Sequence, residues 1–264
     1  MCAPDHFEVD YVINPWMYGN RGKTDNRLAR EQWDALRSAL AVHAEIVLLK
    51  PQPGLPDMVF TANAGMVLGH LAVLSHFLAP ERQGEEKHFR SWFEANGFKL
   101  PPWPEKVYFE GAGDALLDRG KETIWAGYGF RSKMPSPRLI EAIFSRPVMA
   151  LQLVNPNFYH LDTCLCPLEG GYLMYYPAAF DEESQKRILD NVLPEKRIVV
   201  SDDDAKAFAC NAVDIRKHIF MNGASAHLQG QLRAAGFSPL IVPLSEFMKA
   251  GGAAKCLTLK LVEP

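Results

Sequence analysis

Apolar residues along the chain follow two alternating patterns, one typical of short strands and one typical of amphipathic helices. In four segments, two apolar runs flank a turn of glycine or charged residues, which predicts a pair of antiparallel strands. These segments read MVLGHLAVLSHF, ALLDRGKETIWAG, CLCPLEGGYLMYYP and VDIRKHIFMNG. A helical pattern follows each of them. The chain therefore predicts an α/β fold made of repeated units.

The helical stretches carry recognisable start and stop signals. TDNRLAREQWDALRSALAVHA places Leu28, Trp33 and Leu36 along one face, and PERQGEEKHFRSWFEANGF ends on Asn-Gly. In SPRLIEAIFSR we expect Ser136 at the N-cap and Pro137 in the first turn. DEESQKRILDNVLP opens acidic and closes on proline, and ASAHLQGQLRAAGF completes the set.

An internal repeat underlies this alternation. Short similar segments open on an aromatic residue with spacings of 49, 49, 50 and 49, at Tyr11, Phe60, Phe109, Tyr159 and Phe208. Their fourth residues, followed after one deletion by a cysteine, are Asn14, Asn63, Ala112, Asp162, Asn211 and Cys256. Each unit is one sheet segment plus one helix. Because the first and last units are incomplete, we predict a ring closed by pairing the termini, with the fourth positions facing its axis.

Composition narrows the class of protein. The 264 residues are 48% hydrophobic and 22% charged, with a formal net charge of −3. We expect a single domain over residues 1–264. The weakly acidic balance argues against nucleic acid or a membrane as partner, and no apolar run approaches the ~20 residues of a membrane span. Five irregularly spaced cysteines without a signal-peptide pattern predict a reduced, cytoplasmic protein.

Five motifs occur in an order typical of one superfamily. They are INPWM (13–17), PDMVFTANAG (56–65), FEGAGDAL (109–116), YHLDTCLCPL (159–168) and GGAAKCLTL (251–259). With them the chain resembles, over essentially its whole length, the pentein or amidinotransferase-like superfamily of arginine deiminases, dimethylarginine hydrolases and arginine dihydrolases. The resemblance implies a five-fold pseudosymmetric α/β-propeller of ββαβ units, in agreement with the repeat, and hydrolysis at a guanidinium carbon.

The resemblance also implies roles for individual residues. Cys256, which begins a strand-like apolar run behind Gly-Gly, matches the nucleophile, His160 the general acid/base, and Glu110 the catalytic carboxylate. Asp162 matches a guanidinium-binding residue. A thiolate attacks the guanidinium carbon, ammonia or an amine leaves, and water cleaves the thiouronium intermediate. No metal or cofactor is implied.

Recognition of an amino-acid substrate requires further groups. Arg131 and Arg82 match positions that hold the α-carboxylate in related enzymes, since a bidentate pair selects an amino acid over a bare guanidine. Phe60 completes the predicted substrate-binding set. The expected ligand is arginine or a related guanidino amino acid. The sequence leaves both a monomer and a homo-oligomer open.

At one position the chain differs from the related enzymes, and the difference affects which reaction product we expect. Related deiminases and dimethylarginine hydrolases usually carry aspartate where this chain has Asn63, which removes a negative charge and adds an amide donor. With Asn63 and Asn14, a neutral ureido group can be retained and hydrolysed again. We therefore predict an arginine dihydrolase that yields ornithine, carbon dioxide and two ammonia. One alternative is a single-step deiminase or dimethylargininase that releases citrulline. The other is a non-catalytic binding propeller, against which four residues argue together: Cys256, His160, Glu110 and Asp162.

Overall fold

The computed structural model describes residues 1–262, which form an α/β fold of small sheets flanked by helices. The strands are β1 Gly65–Leu68, β2 Leu71–Leu74, β3 Ala115–Leu117, β4 Ile124–Tyr128, β5 Val148–Gln152, β6 Leu165–Leu168, β7 Tyr172–Tyr175, β8 Arg197–Val199, β9 Val213–Ile215, β10 His218–Met221 and β11 Ser238–Ile241. The helices are α1 Asn26–Ala41, α2 Pro80–Gln83, α3 Glu86–Ala95, α4 Pro135–Phe144, α5 Glu182–Asn191, α6 Asp202–Lys206, α7 Ala226–Ala234 and α8 Ser245–Met248.

Three sheets share one topology. In β3-β4-β5, β6-β7-β8 and β9-β10-β11, the central strand pairs antiparallel with the strand before it and parallel with the strand after it. A helix (α4, α5 or α7) connects the central strand to the parallel one, as a parallel crossover requires. The sheet β1-β2 follows the same plan, because an isolated parallel bridge joins Leu71 to Lys99 after α3. All four predicted hairpins are confirmed.

Four of the eight helices in residues 1–262 begin directly after a residue whose side chain caps the first turn. The Asp25 carboxylate accepts a hydrogen bond from the Leu28 N–H at 2.9 Å and so caps α1, which buries Trp33 and Leu36. Asp181 and Ser225 cap α5 and α7 in the same way. These caps satisfy backbone donors that the first helical turn leaves without a partner.

Two local predictions were wrong. Ser136 is not an N-cap, since α4 already begins at Pro135 after Met134; proline at the first helical position presets the backbone angle there. Residues 251–262 contain no strand, and Cys256 lies in a turn. The carbonyl of Cys256 accepts from the Ala62 N–H at 3.0 Å, and that of Leu257 from the Thr61 hydroxyl at 3.0 Å. Backbone groups of this segment thus bond to the turn before β1, across the core, and not to a neighbouring strand.

The apolar core lies between the helices and the sheets. One cluster, which includes Trp33, Phe60, Phe208 and Phe247, also contains Cys256. The largest cluster includes residues from all three of the three-stranded sheets. The turn that carries Cys256 is therefore packed against apolar side chains. In the part of the chain that the structure describes, no helix is both long and apolar enough to cross a membrane.

Candidate active site

The predicted catalytic side chains project from short turns that precede the first strand of successive sheets. Asn63 lies on the 3₁₀ helix Thr61–Ala64 before β1, and Glu110 directly precedes the 3₁₀ turn before β3. His160 directly precedes the turn before β6, and Asp162 lies within that turn. The repeated local structure therefore brings equivalent positions of different units to one place.

One narrow cavity collects the predicted residues. Seven of the nine line it, namely Asn14, Phe60, Asn63, Arg82, Arg131, His160 and Cys256. The other two lie directly behind this wall: Glu110 contacts His160 and Arg131, and Asp162 contacts Cys256. Residues up to 242 positions apart in the sequence, Asn14 and Cys256, thus share one site.

The Glu110 carboxylate contacts both the His160 imidazole and the Arg131 guanidinium. Its Oε2 lies 2.7 Å from His160 Nε2 and 3.1 Å from Arg131 Nη1, and Glu110 is fully buried. Burial alone raises the pKa of this carboxyl, but Arg131 and His160 outweigh burial and lower the pKa to about 2. Glu110 is therefore ionised across the physiological range. It holds the imidazole in a fixed orientation, as a supporting carboxylate does for a general base.

The cysteine thiol contacts a second carboxylate. Cys256 Sγ donates to Asp162 Oδ2 at 3.4 Å, and Cys256 is 3% exposed. Burial, reinforced by the negative charge of Asp162, raises the pKa of the thiol well above its ordinary value. Burial likewise raises the pKa of Asp162 to about 6. Burial and Asp162 therefore both favour the protonated thiol, and a cation bound beside the sulfur would favour the thiolate.

Asn63 is held between a cation and a backbone carbonyl. Arg82 Nη1 donates to its Oδ1 at 2.9 Å, and its Nδ2 donates to the Glu110 carbonyl at 3.0 Å. Arg82 forms a bidentate pair with Glu85, at 2.9 and 2.8 Å. Both partners of this pair are buried. The amide is therefore fixed in direction, and one of its two N–H groups points away from the Glu110 carbonyl.

Asn14 has a different role from the one that we expected. Its Oδ1 accepts from the N–H groups of Trp16 and Met17, at 3.0 and 3.2 Å. Its Nδ2 donates to Tyr159 Oη at 3.2 Å and to the Ala250 carbonyl at 3.0 Å. These four contacts use the bonding capacity of the amide. Asn14 thus fixes the walls of the cavity, and its amide has no group left over for a ureido ligand.

The absence of side chains at Gly251 and Gly252 leaves space for two side chains of the cavity wall, those of Phe60 and Tyr159. A Cβ on Gly252 would come within 2.5 Å of the Phe60 ring, and one on Gly251 within 2.7 Å of Tyr159 Oη. Gly251 also has a φ of +81°, which disfavours other residues. These two glycines therefore let the main chain lie directly against the Phe60 and Tyr159 side chains.

Sequence reasoning missed several residues of the site. Asp57 lines the cavity at 2% exposure, and its Oδ2 accepts from Tyr11 Oη at 2.9 Å; burial raises the pKa of this carboxyl. Tyr159 lies under the Arg131 guanidinium at 4.8 Å. Asp57 stands inside a motif that we had already singled out, so its position could have signalled it. Glu85 had no such signal.

Two buried carboxylate oxygens, one on a residue of the cavity wall and one on a residue directly behind it, have no hydrogen bond. Within residues 1–262, neither Asp162 Oδ1 nor Asp57 Oδ1 has a partner. A buried acceptor left unpaired costs about 1–3 kcal/mol. The pair therefore marks two positions at which donors of a bound molecule would fit. Among the same residues, no group of three or more histidine, cysteine or acidic side chains could hold a metal ion.

Comparison with known proteins agrees with this chemistry. The sequence model of a family described as eukaryotic N,N dimethylarginine dimethylhydrolase matches residues 8–263. The chain belongs to this family. A dimethylargininase relative, the N(G),N(G)-dimethylarginine dimethylaminohydrolase of Mycobacterium tuberculosis, is 40% identical over 262 residues, which are 99% of this chain and 84% of that protein.

Higher identity is found to bifunctional proteins. The arginine dihydrolase/ornithine cyclodeaminases AgrE of Nostoc and ArgZ of Synechocystis are each 54% identical over the whole chain. The chain spans 38% and 37% of their respective lengths.

Solved structures give the same picture for the fold. The N-terminal domain of ArgZ, a cyanobacterial arginine dihydrolase, superposes with a TM-score of 0.99 at 54% identity, covering 100% of this chain and 97% of that one. That structure is a cysteine-to-serine variant bound to substrate, and an asparagine-to-serine variant is covalently bound to a reaction intermediate. A dimethylarginine dimethylaminohydrolase with a TM-score of 0.74 and 21% identity shares the fold.

Proposed function

We propose that this member of the dimethylarginine dimethylhydrolase family is an arginine dihydrolase, which converts L-arginine to ornithine, carbon dioxide and two ammonia. The observation that carries the proposal is the composition of the cavity around Cys256. A carboxylate suited to a guanidinium, Asp162, lies beside the thiol, while an amide, Asn63, stands where related deiminases carry a carboxylate.

Binding of arginine would satisfy the unpaired groups of the site. A guanidinium N–H would donate to Asp162 Oδ1 beside the thiol, and the α-ammonium would pair with Asp57 Oδ1. Arg131 lies in the same cavity wall and provides a cation for the α-carboxylate. Arg82 already has three partners, Glu85, Asn63 and the Asp57 carbonyl. Arg131 has fewer partners, Glu110 and the Ile13 carbonyl, and we therefore assign carboxylate recognition chiefly to Arg131.

Attack requires the thiolate of Cys256. The substrate cation offsets the burial and the Asp162 charge that keep the thiol protonated, and so lowers its pKa in the complex. The thiolate forms a C–S bond to the guanidinium carbon. His160, hydrogen-bonded to Glu110, protonates the departing nitrogen, which leaves as ammonia. It then accepts a proton from water, which adds to the thiouronium carbon and yields enzyme-bound citrulline when the C–S bond breaks.

The second hydrolysis depends on retention of citrulline. A ureido group is neutral, so a site with an additional carboxylate favours its release. The spare N–H of Asn63 donates to the ureido oxygen without adding negative charge. Cys256 can then attack the same carbon again, with loss of the second ammonia. Hydrolysis of the remaining acyl group gives carbon dioxide and frees ornithine.

The repeat supports a five-fold α/β-propeller around this site. Four ββαβ units are visible as sheets with their helices, and the bridge between Cys2 and Leu49 brings the amino terminus beside the segment after α1 as a fifth. We take residues 1–264 as a single catalytic domain. Its five cysteines are unpaired, which supports a reducing, cytoplasmic location. The partner is a small molecule, and assembly into a homo-oligomer stays open.

Dimethylargininase is the second candidate function, because the family model and the Mycobacterium tuberculosis relative carry that name. The two reactions share Cys256 chemistry and differ in substrate and product. In the dihydrolase, ornithine forms from unmethylated arginine. In the dimethylargininase, citrulline and dimethylamine form from dimethylarginine.

Product analysis separates these possibilities. The purified protein is incubated with L-arginine or dimethylarginine, and ornithine, citrulline and ammonia are followed by mass spectrometry and a coupled assay. We expect ornithine with two ammonia per arginine consumed, and no product from a Cys256→Ser control. Citrulline with a single ammonia would overturn the dihydrolase assignment in favour of a deiminase. Turnover of dimethylarginine alone would overturn it in favour of the dimethylargininase.

A further inference from the structure

We infer that Asn211 is a further catalytic residue, whose side-chain amide donates a hydrogen bond to Cys256 Sγ and stabilises the thiolate. Asn211 occupies the fourth position of the repeat segment that begins at Phe208. The inference rests on the proposed function in one respect only, namely that the reaction passes through a Cys256 thiolate.

The amide of Asn211 contacts the cysteine from two sides. Its Nδ2 lies 3.1 Å from Cys256 Sγ, and the second N–H of the same group donates to the Asp162 carbonyl at 3.1 Å. Its Oδ1 accepts from the backbone N–H groups of Ala253 at 3.0 Å and of Cys256 at 3.2 Å. Asn211 is fully buried. The side chain therefore bridges the nucleophile, its turn and the turn that carries Asp162.

These partners fix which end of the amide faces the sulfur. The two backbone groups at Oδ1 are donors only, and the Asp162 carbonyl at Nδ2 is an acceptor only. If oxygen and nitrogen were exchanged, both ends would face groups of the same kind. The NH₂ group must therefore point at Cys256 Sγ. The Asn211 carbonyl also accepts from the Lys255 N–H at 3.2 Å, which anchors the main chain of the same turn.

A fixed donor matters at this sulfur because its surroundings oppose ionisation. Burial and Asp162 both raise the pKa of Cys256, whereas the Ala253 N–H and the Asn211 amide lower it. A hydrogen bond to a charged group is stronger than one to the neutral form of the same group. Asn211 thus favours the thiolate permanently, while the substrate cation favours it only when bound.

The test is the pH dependence of Cys256 alkylation by iodoacetamide, followed on the Cys256 peptide by mass spectrometry without any substrate. Asn211→Asp keeps an oxygen for the two backbone donors and replaces the NH₂ by oxygen. We expect its alkylation rate at neutral pH to fall by about tenfold as the thiol pKa rises by about one unit. Asn211→Ala, which removes both functions, should shift the profile in the same direction.

Asn222 provides a matched control. Its Nδ2 donates to the Met248 sulfur at 2.9 Å and to the Ala207 carbonyl at 2.9 Å, and its Oδ1 accepts from the Leu244 N–H at 2.7 Å. Asn222→Asp therefore makes the same chemical change at an amide that also contacts a sulfur but not Cys256. We expect the wild-type alkylation profile from this variant.

Each outcome decides the inference. A wild-type alkylation profile in folded Asn211→Asp or Asn211→Ala, with folding checked by thermal unfolding, would overturn it. If neither variant folds, the side-chain amide protons of Asn211 are followed by NMR in the wild-type protein. They should shift as Cys256 ionises, and an unmoved resonance would overturn the inference. Absence of arginine turnover contradicts the proposed function alone, because alkylation requires no arginine.

Discussion

Asn63 and Asn211 are both asparagines at equivalent positions of two repeat units, yet their surroundings differ. Each lies three residues after a buried phenylalanine and just before the first strand of a sheet. Asn63 lies between the Arg82 guanidinium and the Glu110 carbonyl, with a spare N–H for a ligand. Asn211 faces the thiol of Cys256. The repeat determines where an amide lies, and the neighbouring segments determine what it can do.

Because of these different surroundings, an added negative charge should have different effects at the two positions. Around Asn63, substitution by aspartate would change how the cavity treats a neutral product. Around Asn211, the same substitution would oppose an anion on sulfur. The two amides therefore predict separable defects, one in the choice of product and one in the ionisation of the nucleophile.

The largest expected effect comes from removal of the Cys256 sulfur, to which the Asn211 amide donates a hydrogen bond. Cys256→Ser should lower arginine turnover at least about 10³-fold, because an alcohol is a much weaker nucleophile in the same position. The measurement is ornithine formation under saturating arginine. Cys166→Ala, at a buried cysteine on β6, serves as the control and should retain turnover. Near wild-type activity in Cys256→Ser would contradict covalent catalysis.

The next effect tests the support of Asn63. Glu85→Gln leaves the buried Arg82 guanidinium without its bidentate carboxylate, which should lower the free energy of unfolding by about 3 kcal/mol. Chemical denaturation measures this change. Glu31→Gln, in the exposed pair of Arg27 and Glu31, is the matched control and should have little effect. Equal losses of unfolding free energy in Glu85→Gln and Glu31→Gln would contradict the role of Arg82 as a rigid support for Asn63.

Asn63→Asp tests the choice of product directly. The added carboxylate should favour release of citrulline and lower the fraction of arginine converted to ornithine by about tenfold. Product ratios at early times measure it, with Asn211→Asp as the comparison, which should slow turnover while leaving the product ratio unchanged. An unchanged ornithine yield in Asn63→Asp would disprove the proposed role of its amide.

The smallest effect concerns pH. Burial raises the pKa of Asp162 to about 6, and the carboxylate must be ionised to bind a guanidinium. The value of kcat/KM for arginine should therefore fall as pH falls through this pKa, by about twofold between pH 7 and pH 6. If this fall in kcat/KM reflects protonation of Asp162, it should occur over the same pH range in the wild type and in Asn63→Asp. A profile that is flat between pH 7 and pH 5 would exclude Asp162 as the binding carboxylate.

Much of the fold followed from local pattern. The hairpins needed only alternation and turn residues, and the convergence of Asn63, Asp162 and Cys256 followed from the repeat. Local signals were insufficient where long-range contacts decide. Cys256 lies in a turn because its carbonyl bonds to Ala62, almost two hundred residues away in the chain, and Asn14 caps a turn while holding Tyr159.

The role of Asn211 shows the same limit. Its place on the repeat was visible in the sequence, but no motif distinguishes an amide that donates to sulfur from one that donates to a ligand. Only the partners at both ends of the side chain reveal it. Glu85 is a further example, because its importance arises from burial with Arg82, a feature that charge patterning along the chain does not show.

A single-turnover experiment tests the central claim most directly. Enzyme in excess over isotopically labelled L-arginine is quenched with acid at successive times, and both the Cys256 peptide and the free products are analysed by mass spectrometry. We predict a transient adduct on Cys256 that decays as ornithine appears, without accumulation of free citrulline. Ornithine formed with no adduct on Cys256, or labelled citrulline as the final product, would contradict the account.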